Sequence, residues 1–260
     1  MENHKVTIIT GASSGIGLES ARLFAKRGDI VVLAARRADR LKELSEELNK
    51  KGFENLVVPI DLSVTSGCEH LIKITMEHFG KIDVLVNNAG FGEQIILDKM
   101  PWEDIEKMFN VNILSMIKLS QAVIPIMKAQ KKGSIINISS VGGLVSHPLN
   151  VIYCTTKHAV TGFGKSLRLE LKGTGINVVT ICPAATTTEF FKVAERDIPF
   201  PSFMAVPAIK VARRILKESE RNNSVVFPSS GAFLLVMLDK WLPSVSEYIN
   251  VKYKDFVTKN

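Results

Sequence analysis

Short runs of apolar and β-branched residues alternate with longer amphipathic segments along this chain, and no other feature constrains its fold as strongly. Repeated strand–helix units are typical of a parallel sheet whose crossover helices cover both faces, so we expect an α/β fold. The strands are predicted over Lys5–Thr10, Ile30–Ala35, Leu56–Pro59, Val84–Asn87, Ser134–Ser139, Asn177–Cys182 and Ser224–Pro228. The helices are predicted over Gly15–Arg27, Ala38–Lys51, Val64–Phe79, Trp102–Lys128, Val151–Lys172 and Pro207–Glu220.

Length and composition favour one domain over residues 1–260, since no linker, repeat or low-complexity tract divides the 260 residues. The 3 cysteines are widely spaced and lack a Cys-x-x-Cys pair, so we expect neither a disulfide framework nor a metal site. Reduced thiols favour a cytoplasmic location, and the first strand begins too early to leave room for a signal peptide. The longest apolar run, Ala232–Leu238, is far shorter than the ~20 residues of a transmembrane helix, so none is predicted.

The net charge of +7 raises the question of a nucleic-acid partner. The basic residues are dispersed at helix ends and on amphipathic faces, and no continuous basic stripe carries interleaved aromatic residues. We therefore expect no nucleic-acid partner, and part of the positive charge is available to a phosphorylated cofactor.

A glycine-rich turn joins the first predicted strand to the first helix, with the sequence Thr10-Gly11-Ala12-Ser13-Ser14-Gly15-Ile16-Gly17. Backbone amides and the positive end of a helix dipole at such a turn suit a pyrophosphate. Gly11 allows the tight turn, Gly15 lets the backbone approach the phosphates, and Gly17 permits close packing of the helix. The predicted cofactor contacts here are Gly11, Ser13, Ser14, Gly15, Ile16 and Gly17.

The end of the second strand carries Ala35, Arg36 and Arg37, where an enzyme that uses NAD commonly has an acidic residue for the ribose hydroxyls. A carboxylate there would repel a 2′-phosphate, whereas the Arg36 guanidinium can hold one with two parallel hydrogen bonds. This favours NADP(H) as the cofactor. The alternative is that both arginines are solvated residues before a helix.

Two further segments follow predicted strands and complete the expected cofactor site. Asp61 and Leu62 come after the third strand, where they can meet the adenine edge. The segment Asn87-Asn88-Ala89-Gly90 closes the fourth strand. Its small residues let the chain pass close to a cofactor, and its asparagine amides can tie adjacent strands together, so Asn88, Ala89 and Gly90 are predicted cofactor contacts.

A Tyr-x-x-x-Lys pair, Tyr153 and Lys157, lies on the fifth predicted helix, 13 residues after Ser140. Positions four apart share a helix face, so the Lys157 ammonium can lie under the phenol, lower its pKa and also reach a bound ribose. The Ser140 hydroxyl would polarise a carbonyl from the other side, which describes a hydride-transfer site. A second pair, Tyr248 and Lys252, has no strand-ending serine at the matching distance, and we interpret it as a chance match on a solvated helix.

These motifs together resemble the classical short-chain dehydrogenases/reductases, in the branch that prefers NADP. The matching elements are the Thr10–Gly17 turn, Asp61, Asn87–Gly90, Asn112, the set of Ser140, Tyr153 and Lys157, and Pro183 with Thr188. The resemblance covers about the first 190 residues. It implies a single-domain Rossmann-like fold with a doubly wound parallel sheet, in which Tyr153 is the acid/base, Lys157 its electrostatic partner and ribose anchor, and Ser140 positions the carbonyl.

The resemblance also assigns roles beyond these three residues. It implies that the main-chain carbonyl of Asn112 holds a water that connects Lys157 to solvent, which makes Asn112 the fourth catalytic residue. Pro183, Thr186 and Thr188 are expected to contact the nicotinamide. The chain departs from the family where Pro183-Ala184-Ala185 replaces the usual Pro-Gly and Thr186 replaces a frequent aliphatic residue, so we expect altered cofactor affinity and retained activity.

The substrate is expected to contact Ser140, Gly142, Leu144 and Tyr153 on one side and Phe190 and Phe191 of an aromatic lid over residues 186–206 on the other. The lid residues can also pack into the core. A hydrophobic helical tail over residues 229–260 can pack on the lid, form a subunit contact or rest on a membrane surface. Because the tail is long and apolar, we expect a bulky, lipid-like or steroid-like ketone or aldehyde as substrate.

Two rival functions stay open at this point. One is a 3-oxoacyl-thioester reductase of fatty-acid synthesis, although the usual Asp-Gly-Gly turn near the last strand is missing. The other is a regulator that binds NADP(H) as a redox signal without turnover. The long apolar helices after Trp102 and Val151 predict a homodimer or homotetramer.

Overall fold

A seven-stranded sheet forms the centre of the computed structural model, which describes residues 4–187 and 205–259 of the chain. The strand order is β3-β2-β1-β4-β5-β6-β9, and every neighbouring pair is parallel. These strands are β1 (Val6–Thr10), β2 (Ile30–Ala35), β3 (Asn55–Pro59), β4 (Val84–Asn87), β5 (Gly133–Ile138), β6 (Ile176–Ile181) and β9 (Val225–Val226). Two short strands, β7 (Thr186–Thr187) and β8 (Val206–Pro207), pair in a separate small sheet.

Helices cover both faces of this sheet, which confirms the predicted doubly wound α/β architecture. They are α1 (Gly15–Arg27), α2 (Ala38–Asn49), α3 (Thr65–Phe79), α4 (Trp102–Phe109), α5 (Ser115–Gln130), α6 (Val151–Glu170), α7 (Ala208–Glu218), α8 (Ser230–Trp241) and α9 (Pro243–Lys259). On one face Phe24, Leu41 and Ile215 of α1, α2 and α7 pack against the sheet, and on the other Leu71 and Val123 of α3 and α5 do. The strands are apolar throughout because both of their faces are buried.

The helix predicted over Trp102–Lys128 is not one regular α-helix. A π-helical turn over Asn110–Leu114 separates α4 from α5, and such turns are frequent at functional sites. The apolar period is the same on both sides of the turn, so the sequence pattern does not reveal it. The other predicted boundaries match or differ by one or two residues. The last strand is shorter than the predicted Ser224–Pro228 because only Val225 and Val226 pair with β6.

The helical segment Trp102–Gln130 is long and apolar enough, by length and composition, to cross a membrane, which the analysis of uninterrupted apolar runs did not predict. Its inner side is part of the protein core, where Leu119, Val123 and Met127 are fully buried against the sheet. A core helix of a folded domain meets the same criteria, so this segment is weak evidence for a membrane span.

The direction of winding reverses between β1 and β4, since the chain builds outward from β1 to β3 and then returns to pair β4 with β1. In open parallel sheets a crevice forms beyond the carboxyl ends of the strands at this switch point, and ligands bind there. The segments that follow β1, β4 and β5 are those that the sequence singled out.

Candidate active site

A cavity of about 670 Å³ lies beyond the carboxyl ends of the parallel strands. Its volume is in the range of small-molecule and cofactor sites. It is lined by most of the residues that the sequence predicted for cofactor and catalysis, namely Gly11, Ser13, Ser14, Gly15, Ile16, Arg36, Arg37, Asp61, Leu62, Asn88, Ala89, Gly90, Ser140, Gly142, Tyr153, Lys157, Pro183 and Thr186. Residues from distant parts of the chain therefore meet in one place.

Several predicted site residues do not line this cavity. Gly17 packs behind the glycine turn, and Asn112 lies behind Gly90. Leu144, which follows the 3₁₀ turn Val141–Gly143, lines a second, smaller cavity beside Phe227, and its contact with the substrate stays a prediction. Thr188, Phe190 and Phe191, with most of the predicted lid, lie outside the described residues.

The glycine-rich turn has the geometry expected of a phosphate cradle. Gly11 and Gly15 have φ angles of 67° and 54°, in the left-handed region that favours glycine. A Cβ atom at Gly17 would lie 2.2 Å from the Gly11 carbonyl oxygen, so only glycine lets the first turn of α1 pack this closely. The amino end of α1 at Ser14, Gly15 and Ile16 lines the cavity. Its backbone amides and helix dipole favour an anion there.

A polar network holds the end of β4 against its neighbours, as the paired asparagines predicted. Asn87 Nδ2 donates to Asn137 Oδ1 at 2.9 Å and so ties β4 to β5. Asn88 Nδ2 donates to the carbonyl of Thr10 at 2.9 Å and ties β4 to β1. The Thr10 hydroxyl in turn accepts the backbone amides of Asn88 and Ala89, each at 2.9 Å. The cavity floor is therefore held by side chains as well as by the sheet.

Charged residues line the end of the cavity that is formed by the segments after β2 and β3. Arg36 is exposed at its rim, next to Ala35 and opposite Asp61. A hydrogen bond from the Ser63 backbone amide lowers the pKa of Asp61, and the Arg36 charge acts in the same direction. Arg37 turns back to the glycine turn and donates from Nη2 to Ser13 Oγ at 3.2 Å. The Arg36 guanidinium can therefore contact an anion at the rim of the cavity, whereas Arg37 hydrogen-bonds to the glycine-rich turn.

Ser140 and Tyr153 meet at the other end of the cavity. Ser140 follows β5 and caps the short turn after it, where its Oγ accepts the Gly142 amide at 3.1 Å. Burial raises the pKa of Tyr153 to about 12, although a hydrogen bond with the Ser140 side chain acts in the opposite direction. The two hydroxyls therefore form one hydrogen-bonded pair that faces the cavity.

Lys157 lies one helical turn after Tyr153, and its side chain is buried. Its Nζ donates to the Ile138 carbonyl at 2.9 Å and lies 5.7 Å from the centroid of the Tyr153 ring. Burial lowers the pKa of Lys157 to about 8. The structure does not show the lowered Tyr153 pKa that the sequence predicted: burial raises this pKa, and the group that lowers it is Ser140.

Asn112 lies in the π-helical turn and joins the loop after β4 to α6. Its Nδ2 donates to the Phe91 carbonyl at 2.9 Å and to Thr156 Oγ1 at 3.1 Å, and its Oδ1 accepts the Phe91 amide at 3.0 Å. A Cβ at Gly90 would lie 3.0 Å from Asn112 Oδ1 and 3.5 Å from Lys157 Nζ, so these groups are close neighbours. The turn thus places Asn112 next to Lys157.

The sequence did not indicate two features of the site. Gly92 lies against the Tyr153 ring, where a Cβ would come within 2.7 Å of Cδ2, and no local pattern indicated this. Ile249, Asn250 and Tyr253 of α9 also line the cavity. That helix carries the Tyr248 and Lys252 pair, which was interpreted as solvated; both residues are indeed exposed, but the adjoining face of the same helix faces the cavity. The spacing of 249, 250 and 253 along one helix face could have revealed it.

A Rossmann-type sheet with a glycine-cradled helix end and a Ser–Tyr–Lys set in one cavity is typical of oxidoreductases that use a nucleotide cofactor. The short chain dehydrogenase family model matches residues 5–198. The chain belongs to this family, as the sequence motifs predicted.

Relatives and solved structures agree with this assignment. An uncharacterised oxidoreductase of Staphylococcus saprophyticus is 36% identical over 240 residues, which cover 87% of this chain and 96% of the relative. A short-chain dehydrogenase of Sphingobium yanoikuyae in complex with NADPH matches with a TM-score of 0.82 and 31% identity, covering 94% and 95% of the two chains. A short-chain dehydrogenase/reductase of Burkholderia phymatum in complex with NAD matches with a TM-score of 0.85 and 27% identity over the same shares. Both nicotinamide cofactors thus occur among similar structures.

The residues of this chain fit a nicotinamide dinucleotide. The positive φ angles of Gly11 and Gly15 and the close packing at Gly17 leave the first amides of α1 open to a phosphate. Small residues at Ala89 and Gly90 leave room along the cavity floor. Pro183 and Thr186 line the same cavity as Ser140 and Tyr153, where the nicotinamide end is expected.

Proposed function

We propose that this protein is an NADP(H)-dependent carbonyl reductase that reduces a bulky, apolar ketone or aldehyde and oxidises the corresponding alcohol in the reverse direction. The observation that carries the proposal is the hydrogen-bonded pair of Ser140 and Tyr153, which shares one cavity with the helix end and the arginine of a cofactor site. Catalytic and cofactor groups are thus arranged along a single continuous space.

The choice of NADP(H) over NAD(H) is supported by the rim of the cavity. Arg36 provides a cation at the end of β2, and Ala35 takes the place of an acidic side chain. Ser13 and Ser14 add hydroxyls, and Asp61 and Leu62 provide an edge for adenine. When bound, the cofactor supplies the hydride, and the catalytic end of the cavity supplies the proton.

The proton step follows from the state of the phenol. Because burial raises the pKa of Tyr153 to about 12, the phenol holds its proton at neutral pH and is available as an acid. Ser140 orients the carbonyl oxygen, and Tyr153 donates its proton to that oxygen as negative charge develops there. The Lys157 ammonium, 5.7 Å from the phenol ring, stabilises the phenolate that remains. Asn112, which the resemblance assigns to proton supply, lies next to Lys157.

The apolar character of the substrate is supported by the walls of the cavity. Val141, Leu235 and Ile249 line it together with Phe91. The wall that Phe190 and Phe191 were predicted to provide lies outside the described residues, and Thr188 with them. A lipid-like or steroid-like carbonyl matches this lining better than a sugar does.

The test is consumption of NADPH, with NADH in parallel, against aldehydes, steroid and aliphatic ketones and 3-oxoacyl thioesters. Turnover of bulky apolar carbonyls with NADPH is the expected result. Turnover confined to thioesters would instead support the fatty-acid reductase function. If Tyr153→Phe and the unaltered protein bind NADPH equally and neither turns over any carbonyl, a redox sensor replaces the reductase.

We also propose that two copies associate through α5 and α6, as a homodimer or within a homotetramer. Leu114, Ile117, Val151 and Leu169 are exposed apolar side chains on or beside these helices, and exposed clusters of this kind mark interfaces. Light scattering after gel filtration should give twice or four times the monomer mass, and Leu169→Glu should lower it. A cytoplasmic location and a peripheral membrane contact of the tail stay predictions.

A further inference from the structure

The helix α9 provides the substrate side of the cavity with polar groups that the reaction itself does not use. Asn250 and Tyr253 line the cavity three residues apart on one helix face, whereas Tyr248 on the outer face is 64% exposed. Among the described residues, the other side chains that α8 and α9 contribute to the cavity, Leu235 and Ile249, are apolar. Asn250 and Tyr253 are therefore a polar interruption in an apolar wall.

Asn250 is held by a defined pair of contacts. Its Nδ2 donates to the Ser246 carbonyl at 3.0 Å, one helical turn earlier, which leaves Oδ1 as an acceptor. That oxygen lies 3.2 Å from Nδ1 of His147, in the loop between Ser140 and Tyr153. The contact docks α9 onto the segment that joins two catalytic residues.

The same contact sets the chemistry of His147. Because Asn250 Oδ1 accepts, Nδ1 of a neutral imidazole must carry the proton, and Nε2 is then an acceptor. His147 itself lines the cavity. With Nδ1 engaged by Asn250, Nε2 is the atom by which a neutral His147 can accept a hydrogen bond from a ligand.

Tyr253 contributes the complementary donor. Burial raises the pKa of Tyr253, so its hydroxyl keeps its proton over the physiological range. Within the described part of the chain the hydroxyl forms no hydrogen bond. A ligand that displaces water from this hydroxyl must accept its hydrogen bond, since burying the hydroxyl without a partner costs free energy.

We infer that His147, positioned by Asn250, and Tyr253 form a specificity subsite for a hydroxyl group on the substrate, remote from the carbonyl that is reduced. A hydroxyl both donates and accepts, and so matches an imidazole acceptor and a phenol donor that line one cavity. The inference rests on the proposed function and narrows it: the substrate class is a bulky apolar ketone or aldehyde that carries a second, hydroxyl-bearing end.

The test compares matched substrates, each with and without the remote hydroxyl: a linear methyl ketone and its terminally hydroxylated form, and a saturated steroid ketone and its far-ring hydroxy derivative. Steady-state kinetics with NADPH are measured for the unaltered protein and for Tyr253→Phe, Asn250→Leu and Tyr248→Phe. Tyr248→Phe is the matched control, since it removes the same hydroxyl from the outer face of the same helix.

In at least one pair, the unaltered protein should prefer the hydroxylated member. Tyr253→Phe should lower kcat/KM for that member about 10-fold, chiefly through KM, while changing the plain member less than about 2-fold. Asn250→Leu should act in the same direction, because it frees His147 to take the other tautomer, and Tyr248→Phe should change neither member. NADPH affinity and melting temperature should stay the same in Tyr253→Phe.

Two outcomes overturn the inference, and they differ from each other. If the unaltered protein reduces carbonyls but Tyr253→Phe affects both members of every pair equally, the subsite is wrong and the proposed function stands. If the unaltered protein binds NADPH and reduces no carbonyl at all, the proposed function fails and the subsite fails with it.

Discussion

The Nζ atom of Lys157 lies 5.7 Å from the centroid of the Tyr153 ring, and both side chains belong to successive turns of α6. Burial moves their two pKa values in opposite directions, toward about 8 for Lys157 and about 12 for Tyr153. Near neutral pH the phenol is therefore protonated and most of the lysine is still charged. This combination suits proton donation to a carbonyl.

The first prediction concerns the pH dependence of reduction. Because the Lys157 pKa lies near 8, its positive charge is lost as the pH rises through that value, and kcat/KM for carbonyl reduction should fall above about pH 8. Tyr153 keeps its proton over the same range. In Lys157→Arg, whose guanidinium stays charged, the activity that remains should show no alkaline limb. A profile that stays flat to pH 10 in the unaltered protein would contradict this.

A second prediction links this lysine to stability. Its pKa falls from 10.5 in an unperturbed lysine to about 8 in the fold, so below pH 8 burial of the charge costs roughly 3 kcal/mol. The unfolded chain binds the extra proton between the two values, so the cost shrinks as the pH rises and vanishes above 10.5. Lys157→Met should abolish turnover yet raise the free energy of unfolding at pH 7, less so at pH 10, in urea titrations. A destabilised variant at pH 7 would show that the bond to Ile138 outweighs desolvation.

The third prediction concerns Gly92. A Cβ there would come within 2.7 Å of the Tyr153 ring, so Gly92→Ala should displace the phenol and lower kcat on the order of 10- to 100-fold, with NADPH affinity unchanged. Gly162→Ala on α6 is the control, since a Cβ there meets no atom within 4 Å. Equal kcat values in the two variants would mean that the ring position does not depend on Gly92.

The fourth prediction tests whether Arg36, at the rim of the cavity, recognises the 2′-phosphate of NADPH. Arg36→Gln should raise the Kd for NADPH about 10-fold or more and leave the Kd for NADH nearly unchanged, because only the former carries the 2′-phosphate. Ala35→Asp should go further and favour NADH, since its carboxylate repels that phosphate. Lys42→Gln, at an exposed position on α2, removes a cation of similar charge and should change neither constant. Fluorescence titration with both cofactors measures all three, and equal losses for NADH and NADPH in Arg36→Gln would refute the assignment.

Much of the fold and of the expected cofactor site could be predicted from the sequence, because the patterns that indicate them lie within short segments of the chain. Apolar runs buried on both faces predict parallel strands, and glycines at fixed spacing predict a turn that only they can adopt, as Gly11 and Gly15 do with positive φ angles. The pair Tyr153 and Lys157 lies one helical turn apart, and its helix follows from the same local periodicity. These features can be predicted because they depend only on the order and spacing of residues along the chain.

Other features depend on contacts between residues far apart in the chain, and only the tertiary structure decided them. The sequence by itself determined the sheet, the glycine turn and the family, and it predicted the residues that are proposed to be catalytic. Packing decided that Gly92 supports the Tyr153 ring, that Leu144 faces a different cavity, and that burial, more than a neighbouring charge, sets the pKa of Tyr153. Packing also brought Asn250 to His147, 103 positions earlier, because long-range proximity and desolvation arise only when the elements are assembled.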